Sequence, residues 1–266
     1  MYLSLPDVRE LRTANPDATA FMRLREREAH AQGKPAARDQ RWVPYARISQ
    51  NLKRAVIVTE DSAYWQHDGV DYDQLRESME TNLERGEFAR GASTITQQLA
   101  KNLYLNPVKN PLRKVKELLI TRRLEAELSK QRILEIYLNV IEWGEGVWGA
   151  EAAARRYFRK SAAELTPSES ALLAAAIANP HIMDPGHPSA RLRRRQQMIM
   201  RRMGAVTPPP VVAEPAIPVD AVPFLPVIPE VPDIGAPTAL PGSPVAPPAT
   251  PGRGGRGPGG PVAPGL

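Results

Sequence analysis

The sequence has no cysteine among its 266 residues. Disulfide bonds, thiol nucleophiles and cysteine metal sites are therefore excluded. It also lacks long apolar runs: the longest, "ALLAAAIA", spans Ala171–Ala178 and falls short of the roughly 18–20 residues that cross a bilayer. The opening "MYLSLPDVREL" has neither the basic start nor the apolar middle of a signal peptide. We therefore expect neither an anchor nor an export signal within this sequence.

The middle of the chain lacks the period-two alternation of half-buried strands. Apolar residues recur there at helical spacing, as in residues 110–130, where Val115, Leu118 and Leu119 precede Leu124 and Leu128. Similar patterns follow in "KQRILEIYLNVIEW" and "GAEAAARRYF", and "TPSESALLAAAIA" places a proline just inside a helix start. The sequence therefore predicts an all-α, mainly helical fold.

Proline divides the chain into three parts. Prolines interrupt residues 1–49, which favours an extended N-terminal arm, whereas residues 50–206 form the predicted helical domain. Residues 207–266 contain 18 of the 28 prolines together with "PGRGGRGPGG", a composition typical of a disordered Pro/Gly-rich tail. Such a tail serves either as a spacer or as a ligand for a partner.

Positive charge is concentrated before the tail. The whole chain has a net charge of +6, and the segment after Val206 carries four acidic and two basic side chains, which leaves +8 for residues 1–206. Such a surface suits nucleic acid, phospholipid or a pyrophosphate. In the basic segment Ala190–Arg202, Leu192, Met198 and Ile199, with Met203 just beyond, remain for packing. Its arginines then form a solvated face beside anionic lipid, or else a nucleic-acid-binding helix.

Three stretches contain candidate functional residues. The first is "VTEDSAYWQHDG", in which an apolar segment leads directly into Glu60 and Asp61, followed by Tyr64 and His67. We expect the apolar residues to anchor this segment in the core, so that the turn after them presents Glu60. His67 by itself is more typical of a hydrogen-bonded structural histidine than of a catalytic one.

The second stretch, "GASTITQQLAKN", predicts a helix capped by Ser93. In such a helix Thr94, Gln98 and Lys101 share one face, whereas Ile95 and Leu99 lie on the buried face. Hydroxyl, amide and ammonium groups on one face suit a polar, charged ligand. The alternative is an ordinary amphipathic helix with a solvated polar face.

The third stretch, "RKVKE", places Arg113, Lys114 and Glu117 within about one helical turn, shortly after Lys109. On a surface, such a group forms ion pairs that contribute little to stability. In a cleft, the same cations hold a pyrophosphate while the carboxylate stays ionised. The stretch alone leaves both interpretations open.

Together these stretches, followed by "SKQRILEIYLNVIEWGEGVWGAEAAARRYF", resemble the successive motifs of the bacterial peptidoglycan glycosyltransferases. The resemblance spans about Phe21 to Met203 and is closest to the monofunctional biosynthetic members. Two features depart from the family pattern. Tyr64 stands where the family usually has phenylalanine, and the membrane helix that normally precedes the arm is missing.

The resemblance implies a lysozyme-like domain with a cleft between a larger lobe and a smaller, membrane-facing one. The implied reaction polymerises lipid II into β-1,4 glycan strands, with inversion at the donor sugar and release of undecaprenyl pyrophosphate. It also implies action at the periplasmic face of the bacterial inner membrane. The implied partners are lipid II, the nascent glycan, an anionic membrane surface and cell-division or elongation proteins, with no nucleic acid.

The resemblance and the chemistry together suggest roles. A sugar hydroxyl needs a carboxylate to accept its proton, and Glu60 is the candidate base, with Glu117 as the second catalytic residue. A divalent cation, Mg²⁺ or Mn²⁺, near Glu117 is the one cofactor that this interpretation allows, and the sequence assigns no definite metal site. The residues expected to bind or orient the substrate are Asp61, Tyr64, His67, Ser93, Thr94, Gln97, Gln98, Lys101, Asn102, Lys109, Arg113, Lys114 and Tyr137.

Two other functions remain compatible with parts of this pattern. A lysozyme-like peptidoglycan hydrolase shares the fold and a catalytic glutamate but needs no cations for a pyrophosphate, so "STITQQLAKN" and "RKVKE" favour transfer. A scaffold with a Pro-rich tail tolerates the loss of the Glu60 carboxylate. Assays of lipid II polymerisation, glycan lysis and DNA binding distinguish these functions.

Overall fold

The computed structural model describes residues 5–85, 93–105 and 111–205. Lys109 and the predicted tail, residues 207–266, lie outside these ranges. The described residues are mainly helical, which confirms the all-α prediction. Their α-helices are α1 (Ala20–Ala31), α2 (Gln50–Glu60), α3 (Tyr72–Arg85), α4 (Ile95–Tyr104), α5 (Pro111–Glu127), α6 (Lys130–Val140), α7 (Ala150–Phe158), α8 (Pro167–Ala176) and α9 (Ala190–Ala205).

Short 3-10 helices and a small sheet complete the described structure. The 3-10 helices are Arg9–Arg12, Tyr45–Arg47 and Ala162–Glu164. The strands are β1 (Asp39–Gln40), β2 (Glu142–Gly144) and β3 (Val147–Trp148), in the order β1-β3-β2. β3 pairs in parallel with β1 and antiparallel with β2. The sheet thus joins the chain before α2 to the connection between α6 and α7.

Helix α2 lies at the centre of the core. Leu52, Ala55 and Val56 have no exposed surface, and the helix packs mainly against α8 and also against α9. Full burial of a side chain such as leucine or valine stabilises a fold by about 1.5–3 kcal/mol. These contacts fix the end of α2, where Glu60 lies.

Side-chain caps explain where the helices around the site begin. Thr94, and not Ser93 as the sequence suggested, caps α4: its hydroxyl accepts a hydrogen bond from the Gln97 N–H, and Gln97 Oε1 accepts one from the Thr94 N–H. Thr166 caps α8 in the same way, with Pro167 at the first helical position. Both caps satisfy N–H groups that the first turn of a helix leaves unpaired.

The N-terminal segment differs from the extended arm that its prolines suggested. Thr19 caps α1, and Met22 is only 1% exposed. Val8 and Leu11 are also buried in the same hydrophobic core as α2. The prolines fall between short helical pieces rather than within them, so they do not prevent this segment from packing.

Two helices expose apolar residues that the sequence pattern assigned to packing. Val115 and Leu119 on α5 are 56% and 37% exposed, whereas Leu124 and Leu128 are buried as expected. On α9, Met198 is 37% exposed, while Leu192 and Ile199 are buried. Helical spacing identifies an apolar face, but the neighbouring elements decide how much of that face is covered.

Candidate active site

Glu60 is the last residue of α2, so a helix end rather than a separate turn presents it. Its Oε2 accepts a hydrogen bond of 2.9 Å from Nε2 of Gln98 on α4. The Tyr137 hydroxyl, buried on α6, donates to Oε1 of the same amide at 2.8 Å. Because Tyr137 occupies the amide oxygen, Gln98 presents its NH₂ group to Glu60. Three helices thus orient one carboxylate.

Burial is the largest influence on the Glu60 carboxyl and raises its pKa. The hydrogen bond from Gln98 and the charges of Arg195 and Lys101 oppose this effect, and the nearby Asp61 adds to it. A carboxylate with a raised pKa accepts a proton more readily than one in water. The position therefore suits a general base.

Asp61 connects the end of α2 to the start of α4. Its buried carboxylate accepts a 2.9 Å hydrogen bond from the Ile95 N–H through Oδ2, where the positive end of the helix dipole favours an anion. Its Oδ1 lies 2.8 Å from Nε2 of His67. Asp61 therefore orients the elements around Glu60 instead of facing open space.

His67 holds the turn that follows α2. Its Nδ1 accepts a hydrogen bond from the Gly69 N–H, so Nε2 carries the proton that bonds to Asp61. Gly69 has φ +82°, and a Cβ there would lie 2.7 Å from the methyl carbon of Thr121. The turn requires glycine, and both nitrogens of His67 are engaged within it.

Several residues predicted to bind substrate are instead buried and form hydrogen bonds within the protein. Tyr64 is fully buried, and its hydroxyl donates to the Lys130 carbonyl at 2.7 Å, so it does not line a cleft. The extra hydroxyl relative to phenylalanine is thereby satisfied. Thr94 and Gln97 are buried in the α4 cap, and Tyr137 acts through Gln98. These four buried side chains hold the elements of the site in place.

A second group of charges surrounds Glu117 on α5, which is 3% exposed. Its Oε2 lies 3.2 Å from Arg113 Nη1, and its Oε1 contacts Lys114 Nζ. Nε of Arg113 is buried with no hydrogen-bond partner among the described residues. Lys114 Nζ also lies 3.4 Å from the Ser93 hydroxyl, which brings two of the predicted stretches together.

Lys101 on α4 connects the two carboxylates electrostatically. Burial is the main influence on it and lowers its pKa, and the charges of Arg113 and Lys114 act in the same direction, whereas Glu117 and Glu60 oppose them. With Lys101, Arg113 and Lys114 against Glu117 alone, this group carries two net positive charges. An excess of cations around a buried carboxylate suits an anionic ligand such as a phosphate.

Asn102 and Phe21 lie beside Gln98 and Lys101. Asn102 Nδ2 donates to the Gln98 carbonyl at 2.8 Å, within α4. The Phe21 ring on α1 lies 5.8 Å from Lys101 Nζ, measured to the ring centre. The segment before α2 therefore borders the predicted site, a contact that the sequence analysis did not anticipate.

Neither of the two candidate donor sets in the described part of the chain fits a resident metal ion. Both oxygens of Glu117 already contact cationic side chains, which would repel Mg²⁺ or Mn²⁺. Among the described residues, Asp61, His67 and Asp71 also place possible donor atoms within 4.8 Å of one another. However, both His67 nitrogens are hydrogen-bonded, and Asp71 Oδ1 accepts from the Gln74 N–H.

Arg195 on α9 is a residue near Glu60 that the sequence analysis assigned to a solvated face. It is half-buried, whereas Arg193 and Arg194 are exposed. It lies three residues after Leu192 and four before Ile199, both of them buried. The partial burial of Arg195 was predictable from the sequence, because helical spacing places position 195 on the apolar face of α9.

Comparison with known proteins identifies the family. The sequence model of the family described as "Transglycosylase" matches residues 26–204. This chain belongs to the transglycosylase family. The match covers the helices from within α1 to α9 and includes both groups of charged residues. The resemblance stated from the motifs is confirmed.

Relatives of this transglycosylase chain bear the name "Biosynthetic peptidoglycan transglycosylase". The one from Nitrosomonas eutropha is 50% identical over 192 residues, which is 72% of this chain and 79% of the relative. Those from Herminiimonas arsenicoxydans and Chromobacterium violaceum are both 48% identical, over 73% and 74% of this chain and 84% and 87% of the relative. These names confirm the enzyme prediction and give the hydrolase alternative no support.

Proposed function

We propose that this chain polymerises lipid II into β-1,4-linked glycan, with Glu60 as general base. The observation that carries the proposal is the division of the site into two parts. One part is Glu60, a partly buried glutamate with a raised pKa at the end of α2, and the other is the net-positive group around Glu117. The charge of Lys101 acts on both carboxylates. A glycosyl transfer from a pyrophosphate donor requires both parts.

In the proposed reaction, the 4-hydroxyl oxygen of the acceptor sugar attacks the donor sugar carbon, and Glu60 accepts the proton of that hydroxyl. The bond from that carbon to the pyrophosphate oxygen breaks, and the leaving group departs with the electron pair. Attack opposite the leaving group inverts the sugar carbon. Lys101, Arg113 and Lys114 stabilise the charge that develops on the pyrophosphate, and Glu117 holds Arg113 and Lys114 in position.

The test is an assay of the purified chain with lipid II, in which glycan polymer and lysis of preformed glycan are measured side by side. We expect polymer without lysis. Lysis without polymer would favour the hydrolase and would contradict the proposal. The relatives' names support the expected outcome, because they describe a biosynthetic transglycosylase.

We further propose that the chain acts outside the cytoplasm, at the surface of the inner membrane. In the described residues, no helix has both the length and the hydropathy needed to cross a bilayer. Exposed apolar residues on α3 and α5 support a surface contact, and the Tyr72 hydroxyl accepts a 3.3 Å hydrogen bond from Arg122, which joins these helices. The exposed set is Tyr72, Leu75, Met79, Leu112, Val115 and Leu119.

Flotation with liposomes tests this membrane contact. The double substitution Val115→Ser and Leu119→Ser should reduce recovery with liposomes several-fold, because it removes apolar area that enters the bilayer. Ile182→Ser is the matched control, since Ile182 is 78% exposed on a loop before α9. High salt should weaken recovery with anionic liposomes by screening the basic residues. Recovery unchanged by both treatments would contradict the proposal.

A further inference from the structure

Phe21 on α1 is an aromatic side chain that faces Lys101 on α4. The Lys101 ammonium lies over the ring, with its Nζ 5.8 Å from the ring centre. This distance is within the roughly 6 Å at which the negative face of an aromatic ring attracts a cation. The N-terminal segment, whose prolines suggested an extended arm, therefore supplies a group to the candidate site.

The start of α1 holds Phe21 in place. The Thr19 hydroxyl accepts a hydrogen bond from the Met22 N–H, and Met22 Sδ accepts one from the Thr19 N–H. Both residues are buried, so the backbone on either side of Phe21 is anchored in the core. The Phe21 side chain is partly buried and packs against that core, and α1 packs against α4. The position of the ring is thus fixed by where α1 begins.

Lys101 lies on the face of α4 that borders the proposed reaction centre. It follows Gln98 by three residues, a spacing that places two side chains on the same face of a helix. Gln98 donates the 2.9 Å hydrogen bond to the Glu60 carboxylate. The ring of Phe21 therefore contacts a cation one helical turn from the residue that orients Glu60.

The charge of Lys101 is not balanced by an ion pair. In the part of the chain that the structure describes, no carboxylate forms an ion pair with the Lys101 ammonium, whereas Arg113 and Lys114 both pair with Glu117. Burying an unpaired ammonium costs free energy, and burial lowers the pKa of Lys101. The attraction between the ammonium and the Phe21 ring offsets part of this cost.

An aromatic partner has a different consequence from a carboxylate. A carboxylate would cancel the positive charge of Lys101 and would accept hydrogen bonds from its N–H groups. The Phe21 ring carries no net charge and attracts the ammonium through its quadrupole. The charge and the N–H groups of Lys101 therefore stay available to an anionic ligand.

We propose that Phe21 is a positioning residue whose ring holds the Lys101 ammonium in the site and leaves its charge available to the donor pyrophosphate. This inference rests on the proposed function for the role of Lys101. It assigns Phe21 an effect that operates through Lys101 and not at the reacting atoms. Leucine would replace the packing of this ring but not its attraction for a cation.

The experiment measures binding of a labelled phosphoglycolipid inhibitor of the moenomycin type, which mimics the donor, by fluorescence polarisation. Phe21→Leu should weaken binding about fivefold, because it keeps the apolar bulk and removes the ring face. Phe21→Tyr keeps the ring and should bind like wild type. Phe158→Leu is the matched control, since Phe158 on α7 is also partly buried against the core. Unchanged binding by Phe21→Leu, or an equal loss in the control, would overturn the inference.

A double-mutant cycle distinguishes the contact with the cation from a general effect on packing. Lys101→Met removes the charge and keeps the stem of the side chain. In that background Phe21→Leu should cause little further loss of binding, because the two residues act together. A further fivefold loss would show that the ring acts independently of the cation and would overturn the inference. Thermal unfolding checks that each variant folds.

An NMR measurement without ligand separates this inference from the proposed function. The ring current should shift the Lys101 methylene protons beside Nζ upfield, and comparison with Lys101→Met identifies their signal. Phe21→Leu should remove this shift, and Phe158→Leu should leave it unchanged. A signal that does not move in Phe21→Leu overturns the inference even if the chain polymerises lipid II. A wild type that shows the shift and the binding differences but forms no polymer contradicts only the proposed function.

Discussion

Glu60 and Glu117 are both glutamates near Lys101, but their partners differ. Glu60 receives a hydrogen bond from the neutral amide of Gln98, whereas Glu117 contacts the cations of Arg113 and Lys114. A neutral donor thus orients the Glu60 carboxylate, whereas two cationic side chains balance the charge of Glu117. This difference supports the proposed roles, in which Glu60 is the general base and Glu117 holds Arg113 and Lys114 in position.

The largest expected effect comes from Glu60→Gln, which removes the proposed proton acceptor and keeps the size and shape of the side chain. Turnover of lipid II should fall by at least about a hundredfold. Because burial raises the pKa of Glu60, its ionised form costs stability at neutral pH, so thermal stability at pH 7 should not decrease. Glycan synthesis is measured by gel separation of labelled products. Activity within a fewfold of wild type would remove Glu60 from the role of base.

The next effect concerns the cations around Glu117. Glu117→Gln, Arg113→Ala and Lys101→Ala should each slow polymerisation by about tenfold or more, because they weaken stabilisation of the leaving group. Combining Glu117→Gln with either of the other two should cost less than the sum, since the residues act together. Single and double variants are compared by their kcat/KM values, and full additivity would contradict a shared role.

A phosphoglycolipid inhibitor of the moenomycin type, which mimics the donor, sharpens this test. It should bind Glu60→Gln nearly as well as wild type and bind Lys101→Ala and Arg113→Ala poorly, because charge-assisted phosphate contacts are lost. Binding is measured by fluorescence polarisation of a labelled inhibitor. Weak binding to Glu60→Gln together with tight binding to Lys101→Ala and Arg113→Ala would show that the donor and acceptor sides are assigned the wrong way round.

The smallest effect is expected from Tyr137→Phe, which frees the Gln98 amide from its buried partner. We expect a fewfold lower turnover and a loss of about 1 kcal/mol in the free energy of unfolding. Tyr157→Phe is the control, because its hydroxyl donates to the Trp143 carbonyl and has no contact with Gln98. Equal turnover in the two variants would show that Tyr137 contributes only stability.

Much of the site was predictable because its signals are local. Helical spacing placed Ile95 and Leu99 on the buried face of α4, and both have no exposed surface. The order of the motifs identified the family. The pairing of Lys114 and Arg113 with Glu117 follows from spacings of three and four residues on one helix. Such relations depend on positions within a single element.

Other relations were not predictable, because they join elements that are distant in the sequence. The motif predicted that Tyr64 binds substrate, but its side chain is buried and its hydroxyl donates to the Lys130 carbonyl, 66 positions away. The sequence indicated Ser93 as the α4 cap, whereas Thr94 caps the helix in the structure, where its hydroxyl also donates to the Gly69 carbonyl at 2.7 Å. The burial of Met22 likewise depends on a core built mainly by later helices.

The sequence by itself determined the helical character of the middle domain, the spacing of its apolar residues and the family, since periodicity and motif order are properties of the chain. Only the tertiary structure decided that Gln98 bridges Tyr137 and Glu60 and that Arg195 acts on the same carboxylate. Hydrogen bonds and pKa values depend on distance and burial in space. Residues that are 38 and 135 positions from Glu60 therefore act on it only because helices α2, α4 and α9 pack around it.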